Sequence, residues 1–156
     1  VNLYFLDTSA LVKAFVPEPG TTVVRTTLEE ARAEPTSARV FVSRLAYPEC
    51  MSALVRRQHE GSVSELAGRR ARAELAEAFR HPYDTFDVFN PQAETIDHAA
   101  MLVARHRLRG FDAVHLATAL ALRHAVPADS FTLLSADLKL NVAAQAEKLV
   151  VHPSLT

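Results

Sequence analysis

A single cysteine, Cys50, is all the thiol chemistry in this chain of 156 residues. No internal disulfide can form, and a reducing, cytoplasmic setting is the expectation. Cys50 has apolar neighbours and reads as a small packed hydrophobe rather than a nucleophile. The seven histidines are scattered without HxxxH or Cys/His spacing, which excludes the usual zinc patterns. No apolar run reaches the length of a membrane span, so no membrane partner is expected. Residues 1–7 (VNLYFLD) have neither a basic stretch nor a small-residue cleavage site; they read as a strand rather than a signal peptide. Positive charge is also missing in bulk. With a net charge of −1, the balance does not advertise nucleic acid, although a local stripe of arginine can hold phosphate while acids elsewhere cancel the sum. Internal repeats, low-complexity tracts and linkers are absent.

What is present is ordinary globular material, 49% hydrophobic and 22% charged, enough for a core without disulfide or metal staples. The length suits one domain over 1–156. Compact apolar runs at 3–6, 39–42, 131–134 and 149–151 read as strands, and 85–89 alternates well enough for another. Between them, helices are expected over 9–15, 21–34, within 44–60, from the 62–65 segment to about 79, and over 92–107, 111–124 and 138–147. Pro48 either opens its helix or kinks it. Residues 62–65 (SVSE) have the pattern of a capping box. Strands that alternate with helices and are continuously apolar predict an α/β domain, its largely parallel sheet covered on both faces.

Four acids occupy telling places. Asp7 ends the first strand and Asp137 follows the strand at 131–134. Each can cap the helix that comes next, or present a carboxylate at the carboxyl edge of the sheet, where open parallel sheets bind ligands. Asp112 opens a helix that is apolar nearly all round, and an acid at the start of a buried helix needs a cap, a cation or a metal. His115, one turn later on the same face, reads as a core histidine or as a donor to the site. Glu49 lies in the first turns of its helix with Leu45, Ala46 and Ala53 on its face; a Glu near a positively polarised helix start is the alternative. Carboxylates gathered together repel by roughly 4 kcal/mol per pair at about 4 Å and an effective dielectric near 20. A divalent cation reverses that sign, and oxygen ligands without thiol or imidazole suit Mg²⁺ or Mn²⁺. Such an ion can drive phosphodiester hydrolysis.

These segments resemble a PIN domain, and within that superfamily the VapC-type toxin ribonucleases of type II toxin–antitoxin systems. The matching stretches are 4–13 (YFLDTSALVK), 43–49 (SRLAYPE) with 53–56 (ALVR), 108–119 (LRGFDAVHLATA) and 134–140 (LSADLKL). The resemblance implies a three-layer α/β/α PIN-like fold with a mostly parallel central sheet of about four or five strands. It implies an acidic quartet of Asp7, Glu49, Asp112 and Asp137 at the metal, with Asp7 and Asp112 first as direct ligands and Glu49 and Asp137 completing the site directly or through water. Thr8, Ser9 and Ser135 would support them. It further implies Mg²⁺- or Mn²⁺-dependent cleavage of RNA, a homodimer and a cognate antitoxin protein. Two departures stand out: Val1 replaces the expected Met, and the span between the third and fourth acids carries an extra loop at 124–130.

Phosphate contacts are expected from Arg44 and Arg109 first, then Lys13, Arg107 and Lys139. The run 68–72 (GRRAR) reads as a solvated helix face. Leu11, Val12, Phe15 and Val16 are core or, alternatively, a groove for an antitoxin helix. Two competing functions remain. An aspartyl-nucleophile phosphatase or phosphotransferase would put its nucleophile at Asp7, but such sites want a second Asp where this chain has Ser9. A non-catalytic PIN-like binding module would keep the fold without binding metal.

Overall fold

The structure is a computed structural model and describes residues 1–155. β1 (Asn2–Leu6) is followed by helices α1 (Thr8–Phe15) and α2 (Thr21–Ala33), then by β2 (Ala38–Ser43), helices α3 (Ala46–His59) and α4 (Glu65–Arg80), and β3 (Asp87–Phe89). Helices α5 (Ala93–His106) and α6 (Gly110–Ala125) lead to β4 (Ser130–Leu134), α7 (Leu138–Ala146) and β5 (Val150–Val151). The strands form one sheet of five in the order β3-β2-β1-β4-β5, each neighbouring pair parallel. The expected three-layer α/β/α architecture is borne out. Among the described residues no helix is long and apolar enough to cross a membrane.

The continuous apolarity of the strands has a direct cause. Leu3 and Phe5 of β1, with Phe41, Phe131 and Leu133, face one core, which α5, α6 and α7 complete. Leu6, Val40, Val42 and Leu134 face the other, against α1 to α4. Successive side chains of a strand point to opposite faces, so a sheet covered on both sides needs apolar residues at every position. Each large side chain withdrawn from water contributes about 1.5–3 kcal/mol. Leu11, Val12 and Val16 are buried in the α1–α4 core and Phe15 packs against it, which settles them as core. Helix α6 is buried almost all round, as its composition requires.

Several local expectations are corrected. Pro48 lies in the first turn of α3, where an amide hydrogen has no intrahelical acceptor anyway, so it neither opens nor kinks the helix. The cap of α4 is Ser64, whose side chain accepts from the Ala67 amide at 3.1 Å, not the box at 62–65. Ser62 is unavailable because its amide turns back to the Arg57 carbonyl at 3.0 Å and closes α3. The strand expected at 85–89 shrinks to Asp87–Phe89, because the amides of Thr85 and Phe86 are drawn to the carbonyl of Pro82, which opens a 3-10 turn over Pro82–Asp84. The supposed loop at 124–130 is partly helix, since α6 runs to Ala125.

Candidate acidic active site

In this sheet order β1 and β4 are neighbours, and the connections that follow them leave in opposite directions, towards β2 and β5. The crevice outside their carboxyl ends is a topological switch point, the usual ligand position in open α/β sheets. Asp7 follows β1; Ser135 and Asp137 follow β4. Both strand-end aspartates do cap helices: Asp7 Oδ1 accepts from the Ala10 amide, and Asp137 Oδ1 from the Leu140 amide, each at 2.9 Å. Capping occupies Oδ1 in each. The second oxygen of Asp7 accepts from Ser135 Oγ at 2.7 Å and from Ser9 Oγ at 2.9 Å. Ser9 Oγ in turn accepts from the Ala136 amide at 2.8 Å, and Ser135 Oγ from the Asp137 amide at 3.0 Å. Two hydroxyls thus lace the β1–α1 corner to the β4–α7 corner. Asp7 is buried, and burial pushes its carboxyl above the ordinary range despite the Ser135 hydrogen bond and other compensating contacts.

The first turn of α3 brings in Glu49. Its Oε2 accepts from Thr8 Oγ1 at 2.8 Å, and His115 Nε2 stands 3.2–3.3 Å from its two oxygens and 3.1 Å from Thr8 Oγ1. Burial alone would raise this carboxyl. The hydrogen bonds from His115 and Thr8, with the His115 charge interaction, outweigh it and hold Glu49 below the ordinary range. His115 is therefore both things its position suggested: it is 1% exposed, and its Nε2 serves Glu49.

Asp112, in the first turn of α6, accepts no hydrogen bond among the described residues. Burial raises its carboxyl, and the negative charges of Asp137, Asp7 and Glu49 add to the shift against an opposing contribution from His115. All four acids therefore act within one electrostatic field. Cys50 takes no part as a nucleophile, because burial and the Asp7 and Glu49 charges push its thiol far above the usual range.

A cleft of about 1110 Å³ opens over these groups, lined by Thr8, Glu49, Asp112 and Asp137, with Arg56 and Arg109 among its walls. Of the expected phosphate contacts, only Arg109 lines it. Lys13 is buried and pairs with Glu18 at 3.0 Å. Arg44 bonds Asn90 and lies over the Phe79 ring. Lys139 is exposed but lies outside the cleft lining, and Arg107 is the left-handed cap of α5. Arg56 was not anticipated. Its signal was spacing: it lies two helical turns beyond Glu49 on the same stripe of α3.

Among the described residues no group of three or more His, Cys, Asp or Glu side chains is arranged to hold a metal ion. The donor set nevertheless suits a hard divalent cation. Its free groups are carboxylate oxygens with no thiolate, and Mg²⁺ keeps several waters and often binds through one or two carboxylates. Burial first and then the charges of its acidic neighbours raise Asp112, and a cation would relieve the second of these.

The model of the PIN domain matches residues 4–146. Two curated proteins of Mycobacterium tuberculosis, Ribonuclease VapC45 and Ribonuclease VapC49, are each 35% identical over 123 residues, 77% of this chain and 76% of theirs. Among solved structures, PAE2754 from Pyrobaculum aerophilum superposes with a TM-score of 0.60 at 16% identity, covering 95% of this chain and 87% of that one. VapBC2 from Rickettsia felis, bound to a DNA fragment from its promoter, superposes with a TM-score of 0.61 at 12% identity, covering 96% and 97%. At such identities the two structures speak for the fold alone.

Proposed function

This chain belongs to the PIN-domain superfamily and, within it, to the VapC-type toxins, and from that premise we propose that it is a Mg²⁺- or Mn²⁺-dependent endoribonuclease, the toxin of a toxin–antitoxin pair. The observation that carries the reading is that three carboxylates, Glu49, Asp112 and Asp137, line one cleft at the sheet switch point, with the buried Asp7 close enough for its charge to act on Asp112. Asp7 and Asp112 are assigned as direct metal ligands, with Glu49 and Asp137 completing the site directly or through water. Bound there, the cation would polarise a phosphoryl oxygen and supply a nucleophilic water at neutral pH.

The chain's own residues prepare that chemistry. Ser9, Ser135 and the Ala10 amide fix both oxygens of Asp7. Thr8 fixes Glu49. Arg109 and Arg56 line the cleft, and their guanidinium groups would supply the phosphate contacts to an RNA backbone. A cytoplasmic homodimer neutralised by a cognate antitoxin completes the reading. Aspartyl phosphoryl transfer would want a second Asp two residues beyond Asp7 as acid/base, and this chain has Ser9 there, which argues against that reading.

The test is Mn²⁺-dependent cleavage of RNA by the wild type, Asp7→Asn and Asp112→Asn. Both variants are expected to lose cleavage. Asp112→Asn is expected to melt no lower than the wild type at neutral pH, because it removes a carboxylate opposed by burial and by its acidic neighbours. An Asp112→Asn protein that cuts at the wild-type rate refutes the assignment. Turnover of a generic phosphomonoester without cleavage of RNA would instead identify a phosphatase.

A further inference from the structure

His115 has no role in the quartet, yet it is the most deeply placed polar ring next to it. It is 1% exposed and packs beside the Phe5 ring, 6.3 Å between centroids. Its Nε2 meets only oxygens: Thr8 Oγ1 at 3.1 Å and the two Glu49 oxygens at 3.2 and 3.3 Å. Two of those three are carboxylate oxygens, which can only accept, so Nε2 carries the hydrogen. Thr8 Oγ1 spends its own hydrogen on Glu49 Oε2 at 2.8 Å, which leaves its lone pairs to receive Nε2–H. The result is a directed relay, His115 Nε2–H to Thr8 Oγ1 and Thr8 Oγ1–H to Glu49, with a second branch from Nε2 straight to the carboxylate.

The opposite end of the ring is bare. Nδ1 is buried and has no hydrogen-bond partner among the described residues. A histidine kept only for packing would be better replaced by an apolar side chain, because a buried polar atom without a partner is a cost to the fold. The connections of the relay account for its retention. Thr8 is the neighbour of Asp7 at the start of α1, and His115 stands one turn beyond Asp112 on α6. Glu49 alone arrives from α3, on a side chain with three rotatable bonds.

We propose that His115, acting with Thr8, is a positioning residue that locks the Glu49 carboxylate in register with Asp7 and Asp112, so that a divalent cation meets a preorganised oxygen set. This rests on the reading of the quartet as a metal site. Hydrogen-bonding partners behind metal ligands fix ligand orientation, and losing one lowers metal affinity by about 10- to 100-fold.

The experiment titrates Mn²⁺ into the full chain and follows free Mn²⁺ by electron paramagnetic resonance, alongside melting temperatures in EDTA. Four proteins are compared: wild type, His115→Leu, His115→Gln and Thr8→Val. His115→Leu keeps the bulk and removes both ring nitrogens; His115→Gln places an amide N–H near the position of Nε2. His115→Leu is expected to bind Mn²⁺ about 10- to 100-fold more weakly without melting lower. Thr8→Val weakens binding in the same direction, and His115→Gln recovers most of the affinity. A merely structural histidine gives the reverse, a lower melting temperature with unchanged Mn²⁺ affinity, and that result overturns the proposal. So does a glutamine variant no better than leucine. If His115→Leu fails to fold, Thr8→Val decides, and wild-type affinity in that variant refutes the relay. A wild type that binds no Mn²⁺ brings down the metal reading itself, an outcome distinct from these.

Discussion

Replacing Ser135 with alanine removes one oxygen from a fully buried position. That oxygen donates to Asp7 Oδ2 at 2.7 Å and accepts from the Asp137 amide at 3.0 Å, so both strand-end corners lose a contact. A hydrogen bond to a charged group contributes about 1.5–3 kcal/mol, and a neutral one about 0.5–1.5 kcal/mol. The loss should therefore depend on whether Asp7 is ionised. Burial places the folded Asp7 carboxyl above its ordinary value of 3.8. A raised carboxyl contributes stability that is full below 3.8 and is lost as pH rises through the folded value. The Ser135 bond opposes that rise, so Ser135→Ala moves the folded value higher and deepens the loss on the alkaline side. The assay is urea unfolding of both proteins in EDTA across mildly acidic to neutral pH. The gap is expected to be about 0.5–1.5 kcal/mol at the acid end and about 1.5–3 kcal/mol at neutral pH. At neutral pH this corresponds to roughly 3–12 °C in melting temperature for a chain of this size. A gap that does not grow with pH would refute the claim that Ser135 holds an ionised Asp7.

Three further outcomes follow from the same structure. Glu147 accepts from His106 and Arg105, which hold its carboxyl below the ordinary 4.5; Glu147→Gln should cost about 0.5–1 kcal/mol at neutral pH, and the gap should close as pH falls through the depressed folded value, as acid titration of stability will check. Arg109→Ala should weaken binding of a single-stranded RNA to the Asp112→Asn protein and reduce the slope of log affinity against log salt by about 1; an unchanged slope would remove Arg109 from the phosphate contacts. Gly20 sits at φ +90, a backbone conformation that side chains rarely adopt, so Gly20→Ala should cost about 1–3 kcal/mol in chemical denaturation.

The layered architecture was legible because burial on both faces leaves a strand few polar positions, and 3–6, 39–42 and 131–134 are apolar but for Arg39 and Thr132. The strand-end placement of Asp7 and Asp137 was legible for the same reason, since an acid directly after an apolar run marks the sheet edge. What could not be read was which side chains are already engaged. Lys13 looks like a free cation beside Asp7, but α1 turns it inward onto Glu18. Arg44 is next to the site in sequence and is spent on Asn90 and Phe79. Both depend on contacts across elements that no local pattern encodes. The double character of His115 was hidden likewise. Its apolar neighbours announce burial, whereas its partner Glu49 is 66 residues away.

The lacing of Asp7 to Ser135 also has a consequence in time. The two residues are separated by 128 positions, and β1 lies at the centre of the sheet, between β2 and a β4 that begins only at Ser130. Synthesis runs from Asp7 towards Ser135, so Asp7 emerges from the ribosome 128 residues before its partner. Until the β4 segment is free to add to the sheet, the acidic corner lacks one of its two walls. The lacing of the corner is thus a late event, complete only once β4 has been made and has joined β1.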